Sequence, residues 1–182
     1  MKTLSWSLIL LLVAAAATTA GAQAPERRKL QHGTMIQGFP CAKGWAWFYP
    51  GDKLKSCAVT VEIPFATITI PPNSIVTLTA DGKPLLVQLG KDSKVNGVMA
   101  QGGGLLGAGE GPVFSFYLDG KVRQLSLDGD QTVDGVPCAR GGLVATTLHG
   151  DASVLFGPDG HLKSCKLSED YNNQKKGDRF SR

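Results

Sequence analysis

The sequence predicts an all-β fold made of repeated antiparallel hairpins, forming a curled sheet or barrel-like stack and fastened by two disulfides. Three observations predict it. The phrase GFPCAKG at residues 38–44 returns as GVPCARG at residues 135–141, and such self-similarity at long period marks repeat architecture. Asp81-Gly82, Asp119-Gly120 and Asp159-Gly160 each separate two apolar runs, which is the short-range signature of a hairpin. The apolar residues in those runs alternate, as in Val76, Leu78 and Ala80 or Phe114, Phe116 and Leu118, and a period of two belongs to half-buried strands.

Taken in chain order, residues 1–24 read as a secretory signal: Lys2 gives a positive start, Leu8 to Ala17 an apolar stretch, and Ala22-Gln23-Ala24 a small-x-small cleavage site. Residues 25–35 form a basic N-terminal segment containing Arg27, Arg28 and Lys29. Residues 36–171 form one hairpin-repeat domain, and residues 172–182 a basic, disordered tail. After the signal, no run approaches the ~18 apolar residues of a membrane helix. About 158 residues remain, enough for one domain with a substantial core.

Within the domain each unit has a head and a tail. The heads are Ile36 to Cys41, Val95 to Ala100 and Val133 to Cys138; the head of the second unit is too degenerate to align. The tails are WAWFYPGDKLKSCAV, IVTLTADGKPLLVQL, PVFSFYLDGKVRQLSL and SVLFGPDGHLKSCKL. Their Asp-Gly pairs predict type I′ turns, with positive φ at both positions. Leu89 precedes Val95 by six residues, as Leu127 precedes Val133 and Leu30 precedes Ile36, so a partial unit stands before the first head. Gly, Pro and β-branched residues interrupt every candidate helix after the signal.

The turn cores Phe48-Tyr49-Pro50-Gly51 and Phe116-Tyr117-Leu118-Asp119-Gly120 resemble those of secreted bacterial β-hairpin-repeat proteins of the MORN-like kind. That resemblance implies a scaffold or binding role and no catalytic activity.

Four cysteines in an exported chain point to disulfides, with three possible pairings. Internal alignment chooses among them. Cys41 and Cys138 lie in heads, Cys57 and Cys165 in the second tail strands of the same units, whereas the third unit has Ala100 and Leu125 at both places. Joint presence or absence within a unit predicts Cys41–Cys57 and Cys138–Cys165. No C-x-x-C pair suggests zinc.

The charges exclude a nucleic-acid partner. Residues 30–174 carry 11 Lys and Arg against 13 Asp and Glu, so the basic excess sits in the terminal segments and not on the body. Gly102 to Gly107 formally fits G-x-G-x-x-G, but Gly109, Gly111 and Pro112 deny it the helix that phosphate binding requires, and a flexible loop is expected. Asp128, Asp130 and Asp134 lack the spacing of a calcium loop and read as a polar connector. His161, just after a turn, is expected to be exposed. No cofactor is implied, and no residue is nominated for catalysis.

Trp45, Trp47 and Tyr49 alternate along one strand. Large aromatics are mostly buried, so the row is expected to face the core; the alternative is a surface that stacks against sugar rings or peptides. The function expected is that of a secreted or periplasmic, non-enzymatic scaffold or binding module whose partner is unknown, an envelope protein or polysaccharide being candidates. A carbohydrate- or peptide-binding domain using the aromatic row, and a hydrolase with an unrecognised site, are the alternatives.

Overall fold

The structure, a computed structural model, describes residues 24–103, 111–141 and 154–182. The segment read as a secretory signal lies outside the described residues apart from Ala24. Every helix or strand element among those residues is a strand. Ten of them form one antiparallel sheet in the order β1 (Glu26–Leu30), β4 (Gly44–Tyr49), β5 (Lys53–Ala58), β8 (Ile75–Leu78), β9 (Pro84–Gln88), β12 (Val113–Phe116), β13 (Val122–Leu125), β16 (Val154–Phe156), β17 (Leu162–Lys166) and β18 (Arg179–Ser181). The others pair as four short hairpins: β2 (Thr34–Ile36) with β3 (Phe39–Cys41), β6 (Ile63–Phe65) with β7 (Ile68–Ile70), β10 (Ser93–Val95) with β11 (Val98–Ala100), and β14 (Gln131–Val133) with β15 (Val136–Cys138).

The sheet order is open, which corrects the expected curled or barrel-like stack: β1 and β18 are its two ends and do not pair. Both end strands carry cations, Arg27, Arg28 and Lys29 on β1 and Arg179 on β18. Charged edge strands discourage pairing with other chains.

The three Asp-Gly turns of the wide hairpins differ from the expectation too. In β8–β9 the Thr79 N–H bonds to the Lys83 carbonyl and the Gly82 N–H to the Thr79 carbonyl, at 2.9 Å each. Tyr117, Gly120 and Lys121 repeat the pattern, as do Gly157, Gly160 and His161. Gly82, Gly120 and Gly160 take φ of 79°, 84° and 87°, but the preceding aspartates stay in the ordinary region. Each is therefore a type I turn closed by a left-handed glycine, which leaves a one-residue register shift in the ladder. The aspartate serves by accepting a bond instead: Asp119 Oδ1 takes the Lys121 N–H and Asp159 Oδ1 the His161 N–H, both at 3.1 Å.

Positive φ at two successive positions occurs in the short hairpins, at Gln37-Gly38, Asn96-Gly97 and Asp134-Gly135. The hairpin β6–β7 turns instead at Ala66-Thr67, with Ala66 alone at φ 56°. Alanine is a poor left-handed residue, so this turn carries no composition signal, which is why no hairpin is legible there in the sequence.

One buried cluster joins the two sets of hairpins. It takes Ala46, Phe48, Leu54, Val76, Val87, Phe114 and Leu125 from the sheet and Phe65, Ile70, Val95, Val98, Val133 and Val136 from the short hairpins. Phe65 meets Phe39 and Phe116 edge-on, with ring centroids 6.2 and 5.4 Å apart. The short hairpins thus supply the second layer that a half-apolar sheet needs.

The C-terminal stretch, expected as a disordered tail, is a structured edge. Strand β18 pairs with β17, Phe180 lying opposite Cys165. Phe180 also packs edge-on against Tyr171 at 6.0 Å, and Asp170 accepts bonds from the Lys175 ammonium and the Lys176 N–H at 2.9 and 2.8 Å. Deleting residues 175–182 is therefore expected to lower stability by about 1–3 kcal/mol, since half-buried Phe180 and one side of β17 lose their cover. Urea denaturation with an unchanged midpoint would show that the strand contributes nothing.

Candidate functional site

The disulfides are Cys41–Cys57 and Cys138–Cys165, each with Cα atoms 5.7 Å apart. Each joins the last residue of a short hairpin, β3 or β15, to the second strand of the wide hairpin that follows, β5 or β17. All four sulfurs lie in the core, so none is available for chemistry.

The buried face of β4 is the one whose side chains share the core with Cys41 and Cys57. Ala46 and Phe48 point into the core with Cys57, so the alternate residues point the other way. Trp45 is 53% exposed and Trp47 41%, which corrects the expectation that the aromatic row faces the core. Tyr49 is half-buried because its hydroxyl donates to the Leu78 carbonyl at 3.0 Å, tying the turn of the first wide hairpin to the next. Tyr117 does the same toward the Phe156 carbonyl at 2.8 Å.

Cations flank this row on both sides. In β1, Arg27 lies opposite Trp47 and Lys29 opposite Trp45. The Arg27 guanidinium sits 4.1 Å from the Trp45 ring centre and 5.7 Å from that of Trp47. In β5, Lys53 lies opposite Tyr49, and the Lys55 ammonium stands 5.6 Å from the Tyr49 ring. A cation over an aromatic face is attracted by the ring quadrupole, and a stacked guanidinium keeps its N–H fork free for other acceptors.

Arg28 points to the opposite side and is fully engaged. Its guanidinium forms a bidentate pair with Glu26 at 2.9 Å, contacts Asp52, and covers the Phe48 ring at 4.7 Å. These bonds, first to Glu26 and then to Asp52, push its pKa above the ordinary arginine value. The same pairing with Arg28 holds the Glu26 carboxyl below the usual range.

Other sequence candidates are scattered. Gly102 and Gly103 are held in place, their N–H groups bonded to Asp92 Oδ1 and the Leu89 carbonyl at 2.7 Å. A Cβ on Gly102 would lie 2.1 Å from the Lys91 carbonyl oxygen, so glycine is needed there for close approach. The rest of that glycine-rich stretch, residues 104–107, lies outside the described residues. Asp128, Asp130 and Asp134 are spent separately on Gln131, the Arg140 N–H and the Leu162 N–H. His161 is exposed, its Nδ1 3.4 Å from Asp134 Oδ2. Among the described residues no cluster of three His, Cys, Asp or Glu side chains is arranged to hold a metal, and no helix is long and apolar enough to cross a membrane.

The flanking cations are what sequence reasoning missed. Arg27 and Lys29 belong to a segment read as a basic leader to the domain, and only their pairing with β4 brings them to the tryptophans. Compared with known proteins, the chain matches no family model, no curated protein and no solved structure.

Proposed function

We propose that the protein is an exported, non-enzymatic binding module, built from about four copies of a two-hairpin unit, that engages its partner through the exposed face of β4. The observation that carries this reading is the exposure of Trp45 and Trp47 side by side on a strand whose other face lies in the core. Leaving two indoles in water forgoes the stabilisation that burying them would bring, so the exposure is best explained by a partner. The rigid sheet and the nearby Cys41–Cys57 bridge hold the two rings in place before any ligand arrives, which reduces the ordering cost of binding.

The repeat reading is supported by like positions of the left-handed turn glycines, the tyrosine bonds to neighbouring carbonyls and the two disulfides. Export is supported by the signal-like N-terminus and by the disulfides, which suit an oxidising compartment. The test is capture of residues 25–182 on a panel of immobilised polysaccharides. Retention on at least one, reduced tenfold or more in a Trp45→Ala/Trp47→Ala variant with an unchanged far-UV circular dichroism spectrum, is expected. Equal retention of the two proteins on every surface would overturn the assignment.

A further inference from the structure

Resting on that reading, we infer that the face of β4 takes an acidic polysaccharide, one whose sugar rings carry carboxylate groups. The charge around the tryptophans argues for it. Arg27, Lys29, Lys53 and Lys55 take part in no ion pair among the described residues. Elsewhere the cation after a wide-hairpin turn is neutralised by the turn aspartate, as Lys83 is by Asp81 at 3.9 Å and Lys121 by Asp119 at 3.4 Å. In the first hairpin the acid of the turn, Asp52, is drawn away to Arg28, and Lys53 forms no close ion pair; its charge adds to the Thr79 bond and the Lys83 charge that hold the Asp81 carboxyl low. The arrangement therefore turns Asp52 away from the aromatic face and leaves an excess of positive charge on both of its sides.

The dimensions fit a single polymer chain. Cations on β1 and β5 are separated by two strand spacings, about 10 Å, with the indoles between them. A sugar ring lying on Trp47, or on the face of Trp45 that Arg27 leaves open, places its apolar face on the indole and its carboxylate within reach of a flanking cation. Arg27, its guanidinium already over the Trp45 ring, offers a planar fork suited to a carboxylate. A peptide is less well served. Strand β4 is paired on both sides, with β1 and β5, so its backbone cannot receive an added strand.

The experiment uses residues 25–182, whose intrinsic indole fluorescence comes from Trp45 and Trp47 alone. The chain is titrated with oligogalacturonate, with a neutral galacto-oligosaccharide of equal length, with poly-glutamate and with a single-stranded oligonucleotide. Oligogalacturonate is expected to change the emission and to bind at least tenfold tighter than the other three, with affinity falling as salt rises. Arg27→Glu and, separately, the pair Lys53→Gln/Lys55→Gln should each weaken that binding tenfold or more; the second leaves the edge strand untouched and guards against misfolding of the first. Equal binding of the neutral sugar would overturn the acidic assignment while the aromatic-face reading stood. Poly-glutamate or the oligonucleotide binding as tightly as the uronate would overturn the saccharide class. Binding that survives Trp45→Ala/Trp47→Ala, read by titration calorimetry because that variant has no indole, or binding of none of the four probes, would sink this inference, and survival in that variant would remove the aromatic-face reading as well.

Discussion

Phe114→Ala is expected to lower unfolding stability by about 3–5 kcal/mol, the range for truncating a fully buried phenylalanine. Phe114 heads the largest side chains with no exposed surface, and its strand β12 sits between β9 and β13 in the middle of the sheet. Its backbone faces Val87 across the ladder, and both side chains belong to the buried cluster beneath the short hairpins. Paired strands on both sides limit collapse, so a cavity remains and its cost adds to the lost transfer energy. A domain of this size has a net stability of only about 5–15 kcal/mol, so the variant stands close to unfolding at physiological temperature. Equilibrium denaturation in guanidinium, under oxidising conditions, measures the change. A loss below about 1 kcal/mol would mean that the centre of the sheet is not the centre of the core.

Cys41→Ala is expected to cost about 2–4 kcal/mol. The bridge closes a loop across a sequence separation of 16, and cutting such a loop returns entropy to the unfolded chain worth about 3 kcal/mol. It also leaves the thiol of Cys57, 2% exposed, alone in an apolar site. The double replacement Cys41→Ala/Cys57→Leu sets up the combination that Ala100 and Leu125 already present, both of them fully buried. It is expected to be less damaging than the single change, because the larger aliphatic side chain fills the space left by the sulfurs. Thiol titration and non-reducing peptide mapping of Cys41→Ala should find one free thiol, at Cys57, with Cys138–Cys165 still joined. A fragment linking Cys57 to either distant cysteine would show that the bridges exchange.

Much of the fold is legible because it depends on local chemistry. Alternation in Val76–Leu78 or Phe114–Phe116 imposes strands whatever surrounds them. The glycines after Asp81, Asp119 and Asp159 mark turns because only glycine enters the left-handed region cheaply. The disulfide pairs are legible because the two cysteines recur together at matching places in two similar stretches of the sequence, and Ala100 and Leu125 replace both in a third. The turn type was not legible, since Asp-Gly suits both a type I′ turn and a type I turn closed by glycine; the register of the flanking strands chose the second.

What the sequence by itself determined, then, is that the chain makes strands, where the glycine-marked turns fall and which cysteines meet. Tertiary structure alone decided which face of β4 is inside. On β4 both alternating sets are apolar, Ala46 and Phe48 on one side and Trp45 and Trp47 on the other, so periodicity cannot choose between them. The choice falls to the layer that covers the sheet: the short hairpins and Cys41 approach from the side of Ala46 and Phe48, and the larger aromatics are left outside. The C-terminal segment makes the same point. Its charged composition reads as a solvated tail, but strand pairing uses backbone N–H and C=O groups that every sequence carries. Strand β17 offers those groups along its open edge, and residues 179–181 complete them.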